Sequence, residues 1–309
     1  MKENSELQTK IAVAQRPEAV NSGKRVRIIP RLDIKGPNLV KGVHLEGLRV
    51  LGRPEPFARH YYENGADELV FMDVVASLYG RNSLVDVIRS IAREIFVPLT
   101  VGGGLRNTDD IRSALRAGAD KVALNTAAIR RPEFVREAAR KFGSSTIVVS
   151  IEAIKRSAGR YEAYTDNGRE RTGIDAFEWA VRAAELGAGE ILVTSIEREG
   201  TGEGFDLELA RTISESVPIP VIVSGGAGTL EHIFDVAVRG KTQAICLASM
   251  LHYNFCRNPG LLEGIDPTIN TAHLQRGRFE RVNDTSLAAV KSFLFDRGID
   301  CRPVETIRR

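Results

Sequence analysis

The chain of 309 residues is 43% hydrophobic but only 6% aromatic, and its 27% of charged residues leave a formal net charge of +3. That length fits two ordinary domains or one α/β barrel with additions, and the aliphatic bias suits parallel strands buried on both faces. So mild a charge gives no case for nucleic acid, and no apolar run reaches the roughly 18 residues of a membrane span.

Residues 1–24 are polar, without the apolar core of a signal peptide, and are expected to form a disordered lead. Structure is expected from 25 onward, as one barrel to residue 309. Val26 to Asp33 predicts a strand ending in an acid, followed by a long Gly-rich connection over 34–53 that contains Lys41. Pro54 opens a helix to about Gly65. A strand over 68–73, a helix over 83–96 and a Pro-started strand ending in Gly102-Gly-Gly104 follow. Next come a helix over 109–118, a strand over 121–125 and a helix from Pro132 to Phe142. The pattern restarts with a strand over 146–152 and a hairpin excursion turned by Asp166-Asn-Gly168. Helices over 174–186, 207–217 and 230–239 then alternate with strands over 190–194, 220–224 and 243–247. Residues 253–285 show neither period and are expected to be an insertion in the last βα connection, on or near the active face; 286–296 supplies the last helix. Eight strand–helix alternations over roughly 250 residues predict a (β/α)₈ TIM barrel.

The chain also repeats. Gly65 and Gly187 open matching segments 122 residues apart, and the same spacing separates the glycine loops at Gly103 and Gly225. Leu32-Asp33 aligns with Ile151-Glu152, and Asn125-Thr126 with Ala248-Ser249. Two homologous half-barrels of four units each explain this repeat, whose offset drifts from 119 residues at Asp33 and Glu152 to 123 at Asn125 and Ala248; an open doubly wound sheet does not.

In a TIM barrel, chemistry gathers at the C-terminal ends of the strands. Asp33 and Glu152 end strands one and five and face each other across the mouth, an arrangement suited to acid–base work. Strands that end in glycine and open a helix present bare N–H groups to phosphate. Two such loops, one with Gly104, Asn125 and Thr126 and one with Gly226, Ala248 and Ser249, predict a substrate with a phosphate at each end. The three cysteines, Cys246, Cys256 and Cys301, are odd in number and lack ligand spacing. They predict no disulfide framework and no metal site, and fit a reducing cytoplasm.

From Arg27 to Tyr253 the sequence resembles the cyclase subunit family of imidazole glycerol phosphate synthase in histidine biosynthesis. The motifs carrying the resemblance are Ile28-Ile-Pro-Arg-Leu-Asp33, Leu39-Val-Lys-Gly42, Pro98-Leu-Thr-Val-Gly-Gly-Gly104 and Val223-Ser-Gly-Gly-Ala-Gly-Thr-Leu-Glu-His232. The resemblance implies a lyase/cyclase that takes ammonia from a glutaminase subunit docked at the N-terminal face of the barrel. Its substrate would be a bis-phosphorylated ribulosyl formimino-carboxamide ribonucleotide, and no metal or organic cofactor is implied. Asp33 would be one catalytic carboxylate, and Glu152 stands where the family has its second aspartate. Lys41 would be a flexible substrate contact. Gly104, Asn125 and Thr126 would hold one phosphate and Gly226, Ala248 and Ser249 the other, with Thr194 and Gly200 near the substrate. Arg27, Glu68, Lys121 and Glu190 match the family's charged ring at the ammonia entrance.

Glu152 and Glu199 stand for aspartates, and Ile34-Lys-Gly-Pro-Asn38 departs from the usual first loop. Changes at the chemical end beside a retained entrance fit a second reading, an ammonia-channelling paralogue that forms an amidine or amide on a surface-polysaccharide sugar. A silent scaffold for the glutaminase would have no use for two phosphate loops. An isomerase of the related aminoimidazole pathway would not need the charged ring.

Overall fold

The computed structural model describes residues 25–76, 84–258 and 281–304. Strand β1 (Arg27–Lys35) runs into an antiparallel hairpin of β2 (Asn38–Val43) and β3 (Glu46–Gly52). Then follow α1 (Pro54–Glu63), β4 (Leu69–Asp73), α2 (Leu84–Ile91), β5 (Leu99–Gly102) and α3 (Thr108–Ala117). Strand β6 (Lys121–Leu124) leads to the short α4 (Thr126–Arg130) and to α5 (Glu133–Phe142). The second half consists of β7 (Ile147–Lys155), the excursion strands β8 (Tyr161–Thr165) and β9 (Glu170–Asp175), and α6 (Ala176–Glu185). It continues through β10 (Glu190–Ser195), α7 (Leu207–Ser216), β11 (Val221–Ser224), α8 (Leu230–Arg239), β12 (Ala244–Leu247), α9 (Ser249–Arg257) and α10 (Leu287–Asp296).

The eight parallel strands β1, β4, β5, β6, β7, β10, β11 and β12 pair in sequence order, and β12 returns to β1 with Arg27 opposite Ala244. The sheet is therefore a closed barrel, as expected. Because side chains alternate along a strand, β1 sends Ile28, Leu32 and Ile34 outward into the core shared with the helices. Ile29 joins Val70, Val148, Leu192, Ile222 and Ala244 in a separate interior cluster that plugs the barrel.

The half-barrel repeat is geometric as well as sequential. Helices α3 and α8 keep the 122-residue spacing, and both are capped from an extended residue, Asn107 and Thr229. The Asn107 side chain accepts from the N–H groups of Asp109 and Asp110 at 2.9 and 3.0 Å, and Thr229 accepts from His232 at 3.3 Å. Asn125 (φ −125, ψ −88) and Ala248 (φ −126, ψ −79) share one unusual backbone conformation.

The connection expected over 34–53 is instead the β2–β3 hairpin. Its tip turns on His44 and Leu45, both in the left-handed region, where Asn or Gly would have signalled a turn. The two excursions are thus counterparts, for each grows from the barrel strand that bears a candidate carboxylate: Asp33 pairs with Val40 and Glu152 with Tyr164. The helix expected over 83–96 ends at Ile91, whose carbonyl accepts from the N–H groups of Glu94 and Ile95 as the chain turns towards an exposed Phe96. Residues 253–257, expected to open the insertion, are the end of α9. The lead over 1–24 and the insertion from 259 to 280 lie outside the described residues. Past the insertion, Asn283 N–H donates to Gly228 O, so the chain returns beside the second glycine loop. Near the C-terminal end, Arg302 is bound to Asp67 and to the carbonyl of Ala66.

Candidate functional site

Among the described residues, the barrel mouth carries two depressions, one at each glycine loop and each lined from both halves of the chain. The first, of about 300 Å³, is lined by Gly103, Gly104, Asn125, Thr126 and Glu152, together with Asp73, Asn167 and the arginines Arg106, Arg130 and Arg131. Glycine is required in this loop: Gly103 and Gly104 have φ of +98° and +70°, and a Cβ on Gly103 would fall 2.3 Å from Asp73 O. Asn125 donates from Nδ2 to Tyr164 O at 3.2 Å, whereas its buried Oδ1 has no partner among the described residues. The Thr126 hydroxyl accepts from the Asp166 N–H at 3.1 Å, and Asp166 in turn pairs with Arg130 at 2.9 Å.

The second depression is nearly closed, at about 20 Å³, and gathers Asp33, Lys41, Gly200, Gly226, Ala248 and Ser249 around Arg31 and Glu199. The hairpin closes it. Lys41 is buried in an ion pair with Glu199. The other Glu199 oxygen accepts from Leu45 N–H at 2.9 Å, and its backbone carbonyl accepts from His44 N–H at 2.9 Å. Gly200 permits this approach, since a Cβ there would lie 2.6 Å from Gly42 O. At the hairpin tip, Leu45 packs with Tyr164 and Ile196 and its carbonyl accepts from Asn167, so the two excursions meet over the mouth.

Asp33 and Glu152 are both buried, one in each depression. Asp33 accepts from Arg31 Nε at 2.9 Å. Glu152 accepts from Gly168 N–H at 2.8 Å, and burial pushes its carboxyl up to about 7 against the pull of Arg31 and this N–H, with Asp33 and Asp166 adding to the rise. The two symmetry-related carboxyls thus occupy unequal surroundings, one ion-paired and one able to gain or lose a proton near neutrality. Thr194 lines neither depression, and its hydroxyl accepts from Arg31 Nη1 at 3.0 Å.

At the opposite end, the four predicted charges form a closed ring. Arg27 lies 2.8 Å from Glu68 and 2.9 Å from Glu190, and Lys121 lies 3.1 Å from Glu68 and 3.0 Å from Glu190. Thr100 adds a hydrogen bond to Glu68 at 2.7 Å. Each anion therefore bridges both cations.

Sequence reasoning missed Arg31 and the arginines of the first depression. The available signal for Arg31 was its spacing, two residues before Asp33 on a strand, which places both side chains on the same interior face. His232, bonded through Nδ1 to Gly228 N–H, and His252, buried against Tyr61, take structural places. The described residues contain no group of His, Cys, Asp and Glu placed to hold a metal, and none of their helices is long and apolar enough to cross a membrane.

A family model described as histidine biosynthesis protein matches residues 27–257, nearly the whole barrel. Imidazole glycerol phosphate synthase subunit HisF of Legionella pneumophila is 59% identical over 206 residues, which cover 67% of this chain and 97% of that protein. With residues 27–257 matched and at this identity, the chain belongs to the histidine biosynthesis protein family and, within it, to the HisF family of imidazole glycerol phosphate synthase subunits.

Proposed function

We propose that the chain is the ammonia-using cyclase/lyase subunit of an imidazole glycerol phosphate synthase. It would convert a bis-phosphorylated ribulosyl formimino-carboxamide ribonucleotide to imidazole glycerol phosphate and aminoimidazole carboxamide ribonucleotide. The observation that carries this reading is the pairing of two glycine loops, related by the repeat, with two carboxyls on opposite strands between them. Gly104, Asn125 and Thr126 would hold one phosphate. Gly226, Ala248 and Ser249 would hold the other once the substrate draws Lys41 away from Glu199. Adding ammonia to a carbonyl and expelling a leaving group both require proton transfer, which Asp33 and Glu152 would provide. Arg27, Glu68, Lys121 and Glu190 would form the entrance for ammonia from a glutaminase docked on the N-terminal face. The reading calls on no metal or organic cofactor.

Closure of the second depression by Lys41 and Glu199 favours one alternative, in which an amidating paralogue binds an anion only in the open first depression, as on a surface-polysaccharide sugar. The deciding experiment is turnover of the bis-phosphate by the purified barrel at high ammonium and alkaline pH without glutaminase. Turnover abolished by Asp33→Asn supports the synthase. No turnover by a folded barrel that still activates a glutaminase removes it and leaves the paralogue.

A further inference from the structure

Arg31 has no counterpart in the repeat: Ile151-Glu152 aligns with Leu32-Asp33, which puts Ser150 at the position of Arg31. Its side chain is only 4% exposed and crosses the barrel interior from β1 to the second half. There Nε holds Asp33 at 2.9 Å, and Nη1 donates to Thr194 on β10 at 3.0 Å and to Ser224 on β11 at 3.4 Å. A buried guanidinium is tolerated only when its charge and its donors are met, and these three acceptors fix its plane. Burial works against the charge, yet the ion pair with Asp33 wins and the guanidinium is held more firmly protonated than usual.

We propose that Arg31 is a positioning residue that makes the two carboxyls work unequally. It fixes Asp33 as an oriented, ion-paired anion, and through its charge it sets Glu152 as the carboxyl that exchanges a proton with the reacting molecule. The proposal rests on Asp33 and Glu152 being the acid–base pair, as read above, and not on the identity of the substrate. Glu152 is faced by Arg31 and Asp33 from β1 and by Asp166 and Gly168 N–H from the β8–β9 turn. Arg106, Arg130 and Arg131 line the same depression. Glu199 and the Cys246 thiol face the other side of Arg31. Thr194, which anchors Arg31 Nη1, is the register partner of Glu152 on the neighbouring strand, so the guanidinium is held on the interior face beside that carboxyl and favours its ionised form.

The test is a titration of Glu152 in the full chain, followed by NMR of side-chain-labelled glutamate. The signal is assigned by its loss in Glu152→Gln. Arg31→Met removes the cation and keeps most of the length; the Glu152 midpoint should then rise, with proton affinity increasing roughly ten-fold or more. Arg31→Lys keeps the charge but cannot span all three acceptors, and should recover most of the shift. An unmoved midpoint in folded Arg31→Met overturns the proposal. If that variant does not fold, Arg31→Gln removes the charge and keeps an amide that can donate towards Thr194. A raised Glu152 midpoint there supports the proposal, and an unchanged one overturns it. Activity separates this inference from the substrate reading. A wild type that ignores the bis-phosphate while Arg31→Met moves Glu152 removes the substrate and keeps Arg31. Turnover with an unmoved Glu152 does the reverse.

Discussion

Replacing Glu152 by Gln should make the protein more stable than the wild type above neutrality, with a pH dependence that follows from the burial of this carboxyl. The change keeps the volume and an oxygen to accept the Gly168 N–H, and deletes only the ionisation. In the folded chain this carboxyl lies at about 7 instead of 4.5, because burial opposes its charge. A raised folded pKa means that the native state holds the proton more tightly than the unfolded state. The resulting stabilisation is complete below the unfolded value and is lost as pH climbs through the folded one. The full difference amounts to about 3 kcal/mol. Between about pH 5 and about pH 8 the stability of Glu152→Gln minus that of wild type should therefore rise by roughly 2.5 kcal/mol. Urea unfolding followed by the emission of the sole tryptophan, Trp179, buried in α6, reads this directly. Taking the difference between variants cancels the other titrating groups. A difference that is flat with pH, or that falls, would refute the account of Glu152 as a carboxyl strained by burial.

Three further outcomes follow from the geometry. Asn107→Ala should cost about 1 kcal/mol, because two N–H groups lose their acceptor; Thr229→Ala should cost less, since it strands only one. Thermal midpoints of the two variants give the order. Glu68→Gln leaves Arg27 and Lys121 to share Glu190 and should destabilise by roughly 3 kcal/mol, more than Glu190→Gln, whose side chain is 11% exposed against 2% for Glu68. Denaturant midpoints at low and high salt check this, and equal losses would remove the asymmetry. Gly226→Ala places a Cβ 2.2 Å from Gly204 O at a φ of +113°. It should lower the melting temperature more than Gly173→Ala, which has a positive φ but open space, and should abolish any rise in melting temperature given by inorganic phosphate at the second loop.

The barrel was legible because its strands are short apolar runs, because glycine and proline punctuate them, and because the pattern occurs twice. Helix starts were readable from Asn107 and Thr229, whose side chains do what Ncap residues generally do. The β2–β3 hairpin was hidden because His44 and Leu45 adopt left-handed conformations that their side chains do not advertise. Only tertiary packing makes them turn. The Lys41–Glu199 pair spans 158 residues, and no local spacing predicts which acid a lysine will meet. Arg31 was passed over because arginine is ordinarily a surface residue. Its burial becomes intelligible only when β10 and β11 bring hydroxyls to meet it.

The charged ring is less symmetric than the barrel it closes. Glu68 and Glu190 are repeat counterparts, but Arg27 corresponds to Thr146 and Lys121 to Ala244. The first half therefore brings two cations and one anion to the ring, and the second brings a single anion. Expressed as separate fragments, the halves would carry opposite surpluses on the surfaces they share. Two copies of the first half would bury four cations with two anions, and two copies of the second would bury two anions with none. The ring thus acts as a mating code within one polypeptide. It favours the mixed pair over either self-pair, and ties the duplicated halves together as unlike subunits.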